Sequence, residues 1–144
     1  MLQTLVGLIA LSLCSSVFAG KAHREAKKEL GANIAAATSA IGTACGSKPK
    51  VTVDWKAFDK VKNDKIREVK SNIGHELNYV GEQAKAFCSD ADSKALFKSN
   101  AKAIEISVTE GDPETTFAKG RFVIKTSSQM NSGGYKFKAI LDEW

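Results

Sequence analysis

The sequence predicts an α+β domain in which two or three N-terminal helices pack on a C-terminal antiparallel β-meander, with one short strand near residues 50–53. Two observations carry this prediction. Through the first part of the chain, apolar residues recur at three- and four-residue steps, the spacing of one helix face. After Ala101 the period changes to two, the alternation of a half-buried strand.

The first predicted helix covers residues 21–44. Its apolar face is narrow and rich in alanine, which suits close packing against a second helix; the face consists of Ala26, Leu30, Ile34, Ala37, Ile41 and Ala44. Gly46 is placed as a left-handed stop after this helix, and Pro49 favours an extended exit. The β-branched run Val51–Val53 then predicts the short strand.

A longer amphipathic stretch runs from Phe58 to Phe87, and Asp54 is placed to cap its start. The apolar spacing lengthens across Asn63-Asp64, which predicts a kink or a break there. Gly74 and Gly81 each weaken a helix by about 1 kcal/mol relative to alanine. We expect them to allow close approach of the first helix.

Beyond this stretch, Ser89 or Asp90 is placed to cap a third, shorter helix that ends near Ala101. Three strands are predicted to follow, over residues 104–109, 115–125 and 135–141. A polar loop, Ser127–Gly134, separates the last two strands. Because the connections are short, the sequence favours an antiparallel meander.

Residues 1–19 have the pattern of an export signal, which leaves 20–144 as a single exported domain. Leu5–Phe18 is apolar or small, and Val17-Phe18-Ala19 places small residues three and one before a cut at Gly20. The segment departs from the pattern in having no Lys or Arg at its start. Lipidation at Cys14 is the alternative, although the bulky Leu13 before it disfavours that reading.

An exported chain is expected to be periplasmic or secreted, and no second apolar stretch is long enough for stable membrane insertion after signal cleavage. Cys45 and Cys88 remain after cleavage, and an even pair in an oxidising compartment predicts one disulfide. A redox or metal-binding role for the two cysteines is disfavoured, because the chain has no C-x-x-C motif and both histidines, His23 and His75, are far from either cysteine in sequence.

The formal net charge of +5 is unevenly distributed. Residues 21–75 contain 12 Lys or Arg and 6 Asp or Glu, whereas residues 76–144 contain 9 and 10. We interpret the basic excess as a solvated helix surface, with an acidic partner or an anionic surface as the alternative. Arginine occurs at only three positions, 24, 67 and 121, so nucleic-acid binding is not expected.

No motif in the chain predicts catalysis, a metal or a cofactor. His75-Glu76 begins like a zinc-protease motif, but Tyr79 occupies the position of the second histidine. The chain has no G-x-S-x-G elbow, and Ser132-Gly133-Gly134 lacks the rest of a phosphate-binding loop. We expect no catalytic residue among these positions.

The leading functional hypothesis is a small, exported, non-catalytic binding protein, of inhibitor or immunity type, that acts on an extracytoplasmic protein partner. Loops on rigid scaffolds commonly carry recognition, so we place the contact at Gln129, Met130 and Asn131, with Tyr135 as a flanking anchor. The alternatives are a domain that binds a small apolar molecule between its helices and sheet, and an unrecognised hydrolase.

Overall fold

The computed structural model of the protein describes residues 9–128 and 133–144, with side chains at 20–128 and 135–144. Its elements are α1 (Ile9–Cys45), β1 (Lys50–Val53), α2 (Trp55–Phe58), a 3₁₀ turn (Asn63–Lys65), α3 (Ile66–Phe87), α4 (Ala91–Asn100), β2 (Ala103–Val108), β3 (Glu114–Ala118), β4 (Arg121–Thr126) and α5 (Gly133–Asp142). Helices fill the N-terminal half and a four-stranded sheet follows. The predicted α+β class and the short strand near residues 50–53 are therefore confirmed.

Helix α1 is continuous from Ile9 to Cys45 and crosses the bond between Ala19 and Gly20. Because nothing in the structure tests cleavage of that bond, the export signal stays a prediction. Among the α1 residues with described side chains, Ala22 is the first that packs against the core. None of the helices in the described ranges has the length and apolarity that a bilayer crossing requires.

Helices α1 and α3 pack closely side by side. Their buried faces meet through fully buried residues, which include Leu30, Ile41, Ile73, Leu77 and Val80. The two helical glycines of α3 lie at this contact, as the sequence predicts. A Cβ at position 81 would lie 3.7 Å from the Cβ of Ala40, and a Cβ at position 74 would lie 3.0 Å from Nδ2 of Asn33.

A disulfide joins the C-terminal ends of these two helices. The Sγ atoms of Cys45 and Cys88 are 2.04 Å apart and their Cα atoms 5.1 Å apart, and both residues are buried. The predicted pairing is confirmed.

Asp54 and Asp90 act as the predicted helix caps. Oδ1 of Asp54 accepts a hydrogen bond from the backbone N–H of Ala57 at 3.0 Å, and Oδ1 of Asp90 accepts one from Ser93 at 2.9 Å. The backbone and hydroxyl of Ser93 hold the pKa of the Asp90 carboxyl below its ordinary value, because both hydrogen bonds favour the charged form.

The sheet is mixed, so the predicted antiparallel meander is wrong. The strand order is β1-β2-β4-β3; β1, β2 and β4 are parallel, and only β3 is antiparallel to its neighbour. Strand β4 lies inside the sheet, paired with β2 on one side and β3 on the other, and its Phe122 and Ile124 are fully buried. Strand β3 buries only Thr115 and part of Phe117, which suits an edge.

The strand predicted over residues 115–125 is two strands joined by a tight turn. Lys119 and Gly120 both have positive φ, 50° and 79°, the pattern of a two-residue type I′ hairpin. A Cβ at position 120 would lie 2.9 Å from the carbonyl oxygen of Asn100. Glycine is therefore required at position 120 both by its positive φ and by this close contact. Lys-Gly is a weaker turn signal than Asn-Gly, which explains the missed turn.

The strand predicted over residues 135–141 is helix α5. Phe137, Ile140, Leu141 and Trp144 are spaced as one helix face, and all four pack against the core. Phe137 contacts Phe122 with ring centroids 4.7 Å apart, and Trp144 contacts Phe117 at 5.2 Å. Phe137 and Leu141 are four residues apart, a spacing that fits both the two-residue period of a strand and the 3.6-residue period of a helix. Packing against the core therefore selected the helix.

Helices α1, α3 and α5 share one core with the apolar face of the sheet. The opposite face of the sheet carries polar side chains such as Thr52, Glu105 and Ser107. On this face Nη2 of Arg121 lies 2.6 Å from Oε2 of Glu105. The expectation that helices cover one face of the sheet is confirmed.

We expect loss of the disulfide to destabilise the fold strongly. It closes a segment with a sequence separation of 43, so the double substitution Cys45→Ala/Cys88→Ala should lower the free energy of unfolding by about 4 kcal/mol. Urea denaturation measures the change. Thiol labelling of the unreduced folded protein, read by peptide mapping, should leave both cysteines unmodified; labelling of either one would contradict the bridge.

Removing side chains from the α3 face should also be costly. Ile73 and Leu77 are fully buried, so Ile73→Ala or Leu77→Ala should each lower the free energy of unfolding by about 2–5 kcal/mol. Lys94→Ala, on the exposed side of α4, is the control and should change it by less than about 0.5 kcal/mol. Equal effects at the three sites would contradict the packing described for α3.

Candidate functional site

A cleft of about 440 Å³ opens at the edge of the sheet where the parallel strands end. Val108, the last residue of β2, and Thr109 line one side of it. Ser128, two residues beyond the end of β4, lines the same side. The carboxyl ends of parallel strands meet at a common edge, and ligands often bind outside that edge.

The inner walls of the cleft are apolar. Val61 comes from the segment between α2 and the 3₁₀ turn, Val69 from the first turns of α3, and Val108 from β2. Val61 and Val108 are half-buried. Three separate elements therefore place aliphatic side chains against one space.

The rim of the cleft is basic. Lys60, Lys62 and Lys65 lie along one lip, and Glu110 is the only acidic residue that lines the cleft within the described part of the chain. Nζ of Lys65 pairs with Glu68 at 3.2 Å. Lys60 and Lys62 form no ion pair with a described residue. Two ammonium groups at the rim are thus available to a ligand.

Asp54 fastens the basic lip to the sheet. Besides capping α2, its carboxylate accepts a hydrogen bond from the Ser107 hydroxyl at 3.1 Å. Its backbone N–H donates to the carbonyl of Ile106 at 2.8 Å. The residue therefore ends β1, starts α2 and holds both to β2.

Residues of helix α1 bind the same basic segment, which lies between α2 and the 3₁₀ turn. Nε2 of His23 donates to the carbonyl oxygen of Val61 at 3.2 Å, and its ring meets Phe58 edge-on with centroids 5.7 Å apart. Nζ of Lys27 pairs with Asp59 at 2.7 Å. These contacts hold the segment that carries Lys60 and Lys62 at a fixed place.

Of the four predicted contact residues, Gln129, Met130 and Asn131 lie outside the described residues. Ser128, directly before them, lines the cleft. Tyr135 is 73% exposed, and its ring centroid lies 6.0 Å from that of Tyr79 on α3. Tyr135 therefore sits on a helix rather than on the predicted strand, and its side chain is accessible.

Asn72 of α3 contacts the segment that follows β4. Nδ2 of Asn72 donates to the carbonyl of Ser127 at 2.7 Å. Glu76 lies one turn further along and is only 1% exposed. Thr126 and Ser127 are buried as well.

From the sequence, Glu76 is considered only as part of an incomplete zinc-protease motif. Its place three residues after Ile73 and four before Val80, on the apolar stripe, was the available signal of burial.

His75 and Glu76 do not form a common site, since His75 is exposed and Glu76 is buried. His23 is engaged with Val61 at the cleft wall. Within the described ranges, no three His, Cys, Asp or Glu side chains come together as metal ligands. The cleft combines positively charged lysines at its rim with apolar valines in its walls, a combination suited to binding a ligand.

Comparisons of this chain with protein-family models, with curated proteins and with solved structures found no match. The function proposed below therefore rests on the residues and geometry of the site.

We expect Asp54 to be required for the stability of the cleft wall. Asp54→Ala removes the α2 cap and the acceptor for Ser107, and should lower the free energy of unfolding by about 1–2 kcal/mol. Asp54→Asn keeps an acceptor at the cap and should cost less. Urea denaturation compares the two, with Asp112→Ala in an exposed turn as the control. A loss at Asp54→Ala no larger than at the control would contradict this role.

Proposed function

We propose that this protein is a small, exported, non-catalytic binding protein, of inhibitor or immunity type, that recognises an extracytoplasmic protein partner. The surface assigned to this function runs from the basic rim of the cleft to Tyr135. The single observation that carries the proposal is an exposed aromatic side chain, Tyr135, which contacts Tyr79 on α3. Exposed tyrosines contribute strongly at interfaces.

The separation along α3 is small enough for the cleft and Tyr135 to belong to one interface. Val69 lines the cleft and Tyr79 contacts Tyr135. Ten residues of helix separate them, or about 15 Å, which is well within the span of a standard protein interface. The rim lysines would favour a partner with an acidic patch, because complementary charge speeds encounter and selects the partner.

The location in an oxidising compartment is part of the proposal. A buried disulfide between the ends of α1 and α3 supports it, since such bonds persist outside the cytoplasm. A binding role also agrees with the rigid attachment of the cleft lip through Asp54 and His23, because a preorganised surface loses less freedom on binding.

A second candidate is a domain that binds a small, largely apolar molecule, and the cleft favours it. Its volume of about 440 Å³ lies in the range of small-molecule sites, which are mostly apolar with a few placed polar groups. The two candidates need different residues. A protein partner would engage Tyr135, whereas a small ligand would engage Val61 and Val108.

The test is capture of a partner from an extracytoplasmic extract by the immobilised protein, followed by quantitative mass spectrometry. Tyr135→Ala, and replacement of residues 129–131 by Gly-Ser-Gly, should each abolish enrichment of the captured protein. Leu96→Ala is the matched control, because Leu96 is also an exposed large apolar residue, at 39%, but lies on α4. Thermal unfolding should be nearly unchanged in every variant. Equal capture by all variants would contradict the assigned surface.

A further inference from the structure

We propose that the cleft is a binding site for an amphiphilic monocarboxylate, a molecule with one carboxylate group and an unbranched aliphatic body. The inference rests on the second candidate function and names its ligand class. The aliphatic body would lie against Val61 and Val108, the two half-exposed valines of the lining, and the carboxylate would meet the ammonium groups of Lys60 and Lys62.

The charge of the rim selects an anion. Some lysines elsewhere in the chain are paired with carboxylates, as Lys27 is with Asp59 and Lys70 with Glu29, whereas others lie on open helix surface away from the apolar cleft. Lys60 and Lys62 stand at the cleft without such a partner in the described ranges. A carboxylate would supply the missing acceptor through charge-assisted hydrogen bonds.

The composition of the lining argues for an anion with a single negative charge. Arginine, whose planar fork suits carboxylates and phosphates alike, is absent among the described lining residues, so an anion in the cleft would meet lysine ammonium groups. Glu110 lies on the rim and would repel a second negative charge. A single compact anion fits this set of groups best.

The apolar walls explain why a simple inorganic anion would not suffice. Val61 and Val108 remain half-exposed, so an aliphatic body that covers them removes apolar surface from water. Thr109 and Ser128 also line the cleft and each carries a hydroxyl group. The Thr109 oxygen already accepts from the N–H of Gly111 at 3.1 Å, which leaves its proton free to donate to a ligand.

The experiment compares three probes that share an eight-carbon chain and differ in the head group: octanoate, 1-octanol and octyltrimethylammonium. Binding to the protein as exported, with its disulfide intact, is measured by calorimetry at pH 7 and low salt. Amide chemical shifts locate the bound probe. We expect octanoate to bind most tightly and to shift the amides of Val61 and Thr109.

The matched variants remove equal charge at two places. Lys60→Gln/Lys62→Gln should weaken octanoate binding by about tenfold or more and leave octanol binding unchanged. Lys94→Gln/Lys98→Gln on exposed α4 is the control and should bind octanoate as the unaltered protein does. Circular dichroism should confirm that both variants keep their fold, since all four lysines are exposed.

The outcomes separate the inference from the function on which it rests. If octanol or octyltrimethylammonium binds at least as tightly as octanoate, or if the Lys60→Gln/Lys62→Gln variant keeps full affinity for octanoate, the carboxylate assignment is overturned while ligand binding stands. If octanoate binds but shifts only amides remote from the cleft, the site is overturned. If none of the three probes binds, the small-ligand function fails as well.

Discussion

The close contact between α1 and α3, locked by the Cys45–Cys88 disulfide, is the constraint on which the rest of the structure depends. Glycines at 74 and 81 lie at the contact between the two helices, and the disulfide holds their C-terminal ends 5.1 Å apart at the Cα atoms. Together with α5, the pair covers the apolar face of the sheet. The same α1 that buries Leu30 in this core also holds the cleft lip through His23. Core packing and site geometry are thus coupled through one helix.

The cleft exists because three strands run parallel. Parallel pairing of β1 with β2 needs a long crossover, which α2, the 3₁₀ turn, α3 and α4 supply. The crossover leaves β1 at Asp54 and immediately builds the basic lip. The ends of β2 and β4 then reach the same edge, so Val108 and Ser128 complete the opposite side. An antiparallel meander would have sent alternate strand ends to opposite edges and would not have formed this cleft.

Sequence reasoning predicted part of the site and missed the rest for definable reasons. It predicted the capping role of Asp54 and the basic character of the first half, because both follow from local residue types. It placed the contact residues in one loop and did not find Lys60, Lys62 or the valine walls. These residues are separated along the chain, and only the crossover brings Val61 to Val108. Whether a lysine is paired also depends on neighbours that are distant in sequence.

Local sequence was enough to predict the helices before Ala101, the caps Asp54 and Asp90, a kink or break across Asn63-Asp64, and the disulfide. Each depends on local spacing, on a short-range hydrogen bond or on the parity of cysteines. Tertiary structure decided two features that the local pattern left open, the secondary structure of residues 135–141 and the order of the strands. Residues 135–141 fit both a strand and a helix, and burial of Phe137 and Leu141 against the sheet selected the helix. Strand order was likewise beyond the local pattern, because the strands that pair with one another are distant along the chain.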